Sequence, residues 1–367
     1  MNDRFAHGGN VYDGGAPFGG WHDFSANINP LGLAPSVKDD IVSHVGDIIH
    51  YPDTTAAELR AAISSHYGIA ADSIVLGNGA AELFYVLFHV MRPRRVLIPM
   101  PSFSEYERAA LSAEAEIDWF TMSEENQFAL DVDELIHIIE TKNIDAVIFG
   151  NPNNPTGRLV KKGDVEKIAK VAAEYETLVI VDESFIDFRN DADEYTAREL
   201  VSSHENLIVV ESMTKFYAIP GLRLGFAIAP SVIGARMDEG KDPWNVNLLA
   251  QHAGVAALAD TAYQEQARDV VAREKDALYE MLGALDGIEP FEPSVNFILL
   301  RLDKKLWGTS EKLCVKMKGK GFLIRDCANY VGLDERFVRV AVKTREENEA
   351  LVDALKSIAQ GNDKTIS

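Results

Sequence analysis

Glu211-Ser212-Met213-Thr214-Lys215-Phe216-Tyr217-Ala218-Ile219-Pro220-Gly221-Leu222-Arg223-Leu224-Gly225 follows directly on the apolar run Leu207-Ile208-Val209-Val210. It reads as a strand ending in a polar loop, with one lysine, two hydroxyls and, eight residues beyond the lysine, an arginine. An amine set among hydroxyls and a guanidinium suits an aldehyde that carries a phosphate. The amine condenses with the aldehyde, while Ser212, Thr214 and Arg223 hold the phosphate by charge-assisted hydrogen bonds. Lys215 is therefore the first catalytic candidate.

Outward from Lys215, helical and apolar patterns alternate. A helix is expected over 56–67, a strand over 74–77, and a helix from 80 to about 90. Strands follow at 95–99, 145–150, 178–182, 207–211 and 222–229, with helical patterns such as 162–176 between most of them. Ala146-Val147-Ile148-Phe149 and Leu178-Val179-Ile180-Val181 are apolar throughout rather than alternating. Strands of that kind are covered on both faces, as in a mainly parallel α/β sheet. After about residue 245 the texture changes. A long helix over 262–285, strands at 296–301 and 337–342, and helices at 309–318 and 345–359 predict a smaller α+β unit.

The bulk properties narrow the function. A chain of 367 residues exceeds the usual single-core size, so a second, smaller domain is expected. Its net charge of −21 argues against binding nucleic acid or an anionic membrane, which need a basic face. No stretch approaches the roughly 18 apolar residues of a membrane span, and the first residues lack the apolar core of a signal peptide. Cys314 and Cys327 are the only cysteines, which leaves no disulfide framework and no CxxC metal pair. A reducing cytoplasm and no bound metal are the expectations.

Polar punctuation falls at the C-terminal ends of the expected strands, where open α/β sheets bind ligands. Gly77-Asn78-Gly79 leads into a helix whose first amides can bind phosphate. Gly150-Asn151-Pro152-Asn153-Asn154-Pro155-Thr156-Gly157, Asp182 and Lys215 close the next strands. Features at consecutive strand ends converge on one site.

In order and spacing, Asn-Pro-Asn-Asn-Pro-Thr-Gly, Val-Asp-Glu-Ser-Phe, Ser-Met-Thr-Lys and Gly-Leu-Arg-Leu-Gly resemble the fold-type I pyridoxal-phosphate enzymes, from roughly residue 23 to 342. The resemblance implies a large domain, 38–270, with a mainly parallel seven-stranded sheet, and a small α+β domain made of 1–37 and 271–367. It implies pyridoxal 5'-phosphate as cofactor, with Lys215 as its attachment point and Asp182 paired with the pyridinium nitrogen. Asn154 would donate to the phenolic oxygen and Phe103 would stack on the ring. Amides of Gly79 and Ala80, with Ser212, Thr214 and Arg223, would hold the phosphate. Tyr51 would reach the phosphate of a neighbouring subunit, which implies a homodimer with shared active sites. Arg339, with Arg325 close by, would face the carboxylate region of the substrate.

Within that group the chain is similar both to histidinol-phosphate aminotransferases and, more closely, to the L-threonine-O-3-phosphate decarboxylases of cobalamin biosynthesis. The closer match is carried by His7-Gly8-Gly9-Asn10, Asp23-Phe24-Ser25-Ala26-Asn27-Ile28-Asn29-Pro30-Leu31-Gly32, Asp182-Glu183-Ser184-Phe185-Ile186-Asp187-Phe188, Pro243-Trp244-Asn245-Val246-Asn247 and Ile324-Arg325-Asp326-Cys327-Ala328-Asn329-Tyr330. Phe185 stands where the aminotransferases place a tyrosine that donates to the cofactor's phenolic oxygen. Ala80 and Ala81 stand where the decarboxylases carry polar side chains.

The Cα bond held perpendicular to the cofactor ring is the one that breaks. A transaminase presents the C–H bond by fixing the carboxylate near the ring plane with an arginine; a decarboxylase turns the carboxylate out of plane. A substrate phosphate that captures part of a cationic cluster would displace the carboxylate in this way. His7, Arg325 and Arg339 are the candidate phosphate holders, with Asn29 nearby and Asn154 also expected at the substrate. Three functions stay open: decarboxylation of phosphothreonine or phosphoserine, transamination of histidinol phosphate, and a catalytically silent cofactor-binding regulator. The last expects an attached DNA-binding segment and often a lost lysine, against Lys215 and the lack of a basic extension here.

Overall fold

The computed structural model describes residues 3–12 and 20–360; parts of the expected small domain, 1–2, 13–19 and 361–367, lie outside them. The strands of the described residues, β1–β13 in chain order, form three sheets. β1 (His22–Asp23) pairs with β11 (Phe322–Leu323). The large sheet holds β2 (Ile74–Gly77), β3 (Arg95–Met100), β4 (Glu116–Thr121), β5 (Ala146–Gly150), β6 (Leu178–Asp182), β7 (Leu207–Ser212) and β8 (Gly225–Ile228). Its order is β2-β8-β7-β6-β5-β3-β4, and β8 alone runs against its neighbours. A four-stranded antiparallel sheet, ordered β12-β13-β10-β9, is made of β9 (Ile288–Pro290), β10 (Phe297–Leu302), β12 (Arg325–Asp326) and β13 (Phe337–Ala341).

The all-apolar runs are apolar because both faces are covered. Val147, Phe149, Val179, Val181, Leu207 and Val209 enter one core. Their alternates, Ala146, Ile148, Ile180, Ile208 and Val210, enter a second core on the opposite face, under helices Ala80–Met91 and Ser104–Ser112. The four-stranded sheet repeats the logic. Phe297, Leu299 and Phe337 join the first core, while Ile298, Leu300, Val338 and Val340 build a third with helix Arg345–Ala359. The period of two along β13 therefore turns Arg339 the same way as Phe337, toward the large sheet.

The structure adds elements that the sequence pattern did not indicate. β4 is an edge strand, Glu-Ile-Asp-Trp-Phe-Thr, too charged to read as a buried run. Helix Leu248–Ala259 is apolar with little sidedness, so no helical stripe marks it. The strand expected over 222–229 shrinks to Gly225–Ile228, because residues 217–224 form the loop beyond Lys215. Helix Leu248–Ala259 packs on helix Pro35–His44, where His44 and His252 stack with ring centroids 3.7 Å apart and planes 11° from parallel. Asp40 adjoins them, but parallel rings send their lone pairs along parallel planes rather than to one point. The trio is a packing contact.

Gly225 permits the close approach on which the site is built. A Cβ there would lie 2.5 Å from Ala80 N and 2.7 Å from Glu211 O, both backbone atoms with little room to yield. Gly225→Ala is expected to cost about 1–3 kcal/mol, measured as a lower Tm, and to weaken cofactor retention by pushing the Gly79–Ala80 turn away from β7.

Candidate active site

Register sets the site. β5 and β6 align Gly150 with Asp182, and β6 and β7 align Asp182 with Val210. The Asn151–Gly157 loop, Asp182 and the Ser212–Lys215 turn thus leave the sheet along one edge. There they border a cavity of about 320 Å³. Of the residues expected from the sequence, Lys215, Asp182, Ala80, Phe103, Asn154, Ser212, Thr214, Arg223, His7, Arg325 and Arg339 line it.

Lys215 sits in the helical turn Met213–Phe216, and its Nζ donates to Thr214 Oγ1 at 2.8 Å. Thr214 Oγ1 in turn lies 2.7 Å from Ser212 Oγ. Burial, then the charges of Arg223 and Arg339, pull the lysine's pKa down to about 8, against an opposing pull from Asp182. Asp182 is buried and held on both oxygens. Tyr106 Oη donates to Oδ2 at 2.6 Å and the Ser184 amide to Oδ1 at 2.9 Å. Burial raises its carboxyl, and those bonds together with the charge of Lys215 only partly offset this. A cationic N–H placed against Asp182 would complete the compensation.

The expected phosphate end is a cradle. Gly79 opens helix Ala80–Met91 at φ +83 with no side-chain cap, so the first amides lack intrahelical partners. A Cβ on Gly79 would lie 2.3 Å from Arg223 Nη2, so only glycine lets that guanidinium lie over the turn. Arg223 itself has φ 61, a left-handed conformation that a side chain rarely adopts. Free amides, two hydroxyls, a guanidinium, a lysine and a carboxylate fit a phosphate-bearing pyridine aldehyde.

At the opposite wall stand two arginines. Arg325 and Arg339 face each other directly across β12 and β13, 7% and 5% exposed. Arg325 Nη2 donates to Ala6 O and Asn329 Oδ1, each at 2.7 Å. Arg339 donates to Asn154 Oδ1, to Tyr330 Oη at 3.5 Å and to Ser25 O at 2.8 Å, while its buried Nε has no partner. Among the described residues neither arginine meets a carboxylate. Phe185 forms the nearby wall, packed edge-on against Phe297 at 5.1 Å, so the position carries no hydroxyl.

Two expectations require correction. The Gly79 amide donates to Gly77 O at 2.8 Å, so it belongs to the turn and the helix amides from Ala80 onward are the free ones. Asn29 does not line the cavity. Its Nδ2 donates to Phe216 O at 2.7 Å and its Oδ1 accepts from the Leu31 amide at 3.0 Å, tying the N-terminal segment to the Lys215 turn. Tyr51, expected at a neighbouring subunit's phosphate, lies outside this chain's own cavity, 80% exposed, its ring 5.0 Å from that of Trp244. The sequence reading also missed Tyr106, Glu105 and Tyr330. Tyr106 follows Phe103 by three residues, one helical turn, and that spacing was the available signal.

A family model described as aminotransferase class I and II matches residues 20–355. The chain belongs to that family. Its cofactor is pyridoxal 5'-phosphate, the group the cradle fits. Among class I and II relatives, a candidate threonine-phosphate decarboxylase of Caldanaerobacter subterraneus subsp. tengcongensis is 39% identical, over 96% of this chain and 94% of that protein. The threonine-phosphate decarboxylase of Salmonella typhimurium is 34% identical over 97% of both. The crystal structure of the histidinol-phosphate aminotransferase from Clostridium acetobutylicum superposes with a TM-score of 0.85 at 33% identity, covering 92% of this chain and 99% of that one.

Only an uncharged amine condenses with an aldehyde. Because the lysine's pKa is depressed to about 8 from an ordinary 10.5, the neutral form gains as pH rises through 8. Apoprotein mixed with pyridoxal phosphate is expected to develop the lysine-bound visible absorbance with a rate half-maximal near pH 8, and Lys215→Ala to develop none. A half-maximum above pH 10 would show that burial does not tune the lysine.

Proposed function

We propose that the chain is a pyridoxal-phosphate-dependent carboxy-lyase that converts L-threonine O-3-phosphate to (R)-1-amino-2-propanol O-2-phosphate and CO2 in cobalamin biosynthesis. The observation that carries this reading is the pair of buried guanidiniums, Arg325 and Arg339, directly opposite each other across two strands and without a carboxylate partner among the described residues. Like charges so placed repel, and the arrangement suits a substrate that brings more than one negative charge. Near full-length likeness to threonine-phosphate decarboxylases supports the same reading, as does the absence of a hydroxyl at Phe185.

Pyridoxal phosphate supplies, when bound, an electron sink for the pair left at Cα when a bond there breaks. Lys215 would carry it, and its Nζ is the group placed to hold and return a proton at Cα. Asp182, braced by Tyr106 and Ser184, would pair with the pyridinium nitrogen and favour its protonated form. Ala80 N–H, Ser212, Thr214 and Arg223 would hold the cofactor phosphate, with Phe103 and Asn154 on the walls beside its ring. Arg325, Arg339 and His7 take the substrate phosphate. With both guanidiniums engaged by the phosphate, no arginine of this pair would be left to clamp the substrate carboxylate. Asn29 acts one step back, by fixing the loop against Phe216.

A second reading, transamination of histidinol phosphate, draws on the likeness to the Clostridium acetobutylicum structure. Phosphoserine is the alternative substrate within the first, since one methyl group is worth only about 1–3 kcal/mol of discrimination.

The working unit is a homodimer, and its compartment the cytoplasm. Among the described residues no helix is long and apolar enough to cross a membrane. Val42, Val45, Ile48 and Ile49 are 53–80% exposed beside Tyr51, an apolar patch that a second copy would cover while carrying Tyr51 to its neighbour's cofactor. The division into 38–270 and 1–37 with 271–367 is kept, the smaller part carrying Arg325 and Arg339. Sedimentation as a monomer would contradict the shared site.

Holoprotein incubated with L-threonine O-3-phosphate is expected to release CO2. With histidinol phosphate and 2-oxoglutarate it is expected to form no glutamate. Glutamate without CO2 would reverse the assignment.

A further inference from the structure

The N-terminal segment reaches the cavity from outside the sheet and is pinned there. Arg325 donates to Ala6 O at 2.7 Å, and Asn329 Nδ2 donates to Arg4 O and Ala6 O at 3.2 Å each. Gly8 lies so close to Ser25 that a Cβ would come within 2.1 Å of Ser25 O. These contacts seat His7 on the cavity wall, its ring centroid 5.6 Å from that of Phe103.

His7 is not alone there. Its Nε2 lies 2.7 Å from Oε1 of Glu105, a residue only 6% exposed on helix Ser104–Ser112. The other Glu105 oxygen accepts from Tyr85 Oη at 2.9 Å, and Arg108 Nη1 is 3.5 Å from Oε1. Burial pushes the Glu105 carboxyl up. The bonds from His7 and Tyr85, with the charges of His7 and Arg108, outweigh burial and hold it below the ordinary glutamate range. Glu105 is thus a carboxylate with no proton to give, so Nε2 of His7 carries the hydrogen between them.

That fixes what the ring can offer a ligand. Nδ1 makes no bond to a described residue, so it is the nitrogen left for the cavity. In the neutral ring Nδ1 is a lone pair, which a phosphate dianion repels. In the imidazolium it is a second N–H, and the ring adds a positive charge beside Arg325 and Arg339. A carboxylate on Nε2 stabilises the imidazolium and fixes the ring's direction.

We propose that Glu105 is a positioning residue for substrate recognition, fixing the His7 ring through a charged hydrogen bond at Nε2 so that Nδ1 is turned to the phosphate group of the substrate. This rests on the phosphate-ester reading above. The Glu105 side chain touches neither substrate nor cofactor; it acts through His7.

The test is a double-mutant cycle on holoprotein, with kcat and KM for L-threonine O-3-phosphate measured separately and bound-cofactor absorbance as the loading control. Glu105→Gln removes the charge and keeps the side chain's size, with one acceptor oxygen retained and the other replaced by an NH2 donor. It is expected to raise KM about tenfold with kcat nearly unchanged, the scale of one hydrogen bond to a charged group. His7→Ala is expected to raise KM by at least as much, and Glu105→Gln in the His7→Ala background to add nothing. Should Glu105→Gln lose its cofactor, Glu105→Asp, which keeps the charge, takes its place: KM stays close to wild type, and again nothing is added in the His7→Ala background. Additive losses, or a fall in kcat at constant KM, would overturn the proposal while leaving the decarboxylase reading intact. Failure of the wild type to release CO2 overturns that reading, and this one with it.

Discussion

Two guanidiniums are buried side by side with no carboxylate among the described residues to answer them. Placing Arg325 opposite Arg339 on adjacent antiparallel strands is unfavourable by itself, and burying each within a few per cent of full coverage is more so. Neutral oxygens from Ala6, Ser25, Asn154 and Asn329 offset part of that cost. The remainder is a standing positive potential on one wall of the cavity, in a chain whose net charge is −21. The rest of the site is arranged around it.

That potential reaches the catalytic end. The charge of Arg339 is among the causes that depress the Lys215 pKa, after burial and Arg223. An anion arriving between the arginines would cancel part of this field and make the lysine a stronger base. Asn154 connects the two ends sterically, since it lines the cavity and accepts from Arg339. Recognition of the substrate's negative groups and proton handling at Lys215 are therefore coupled through the same few charges, with no moving part required.

Much of this was legible in the chain because it depends on local pattern. Unbroken apolar runs identified β5, β6 and β7, and each was followed by the polar residues that such strand ends use. What could not be read depends on tertiary partners. Asp182 is braced by Tyr106 from 76 positions away, and His7 by Glu105 from 98. The face-to-face placement of Arg325 and Arg339 follows from strand register, which a two-residue strand such as β12 does not announce. Gly79 was expected at the cofactor phosphate by resemblance and Asn29 near the substrate phosphate, yet the fold uses both for itself: the Gly79 amide closes its own turn and the Asn29 carboxamide bridges to Phe216. Directionality was lost as well. β8 looks like its parallel neighbours in sequence, and only the loop beyond Lys215 reverses it.

The most direct measurement is the ratio of kcat/KM for L-threonine O-3-phosphate to that for L-threonine, in the wild type and in Arg325→Gln and Arg339→Gln. If the uncompensated guanidiniums exist for the substrate's phosphate, the wild-type ratio is large, and each substitution lowers it by roughly 10- to 100-fold, the scale of one hydrogen bond to a charged group. A ratio near unity in the wild type, or one that neither substitution moves, would contradict the account.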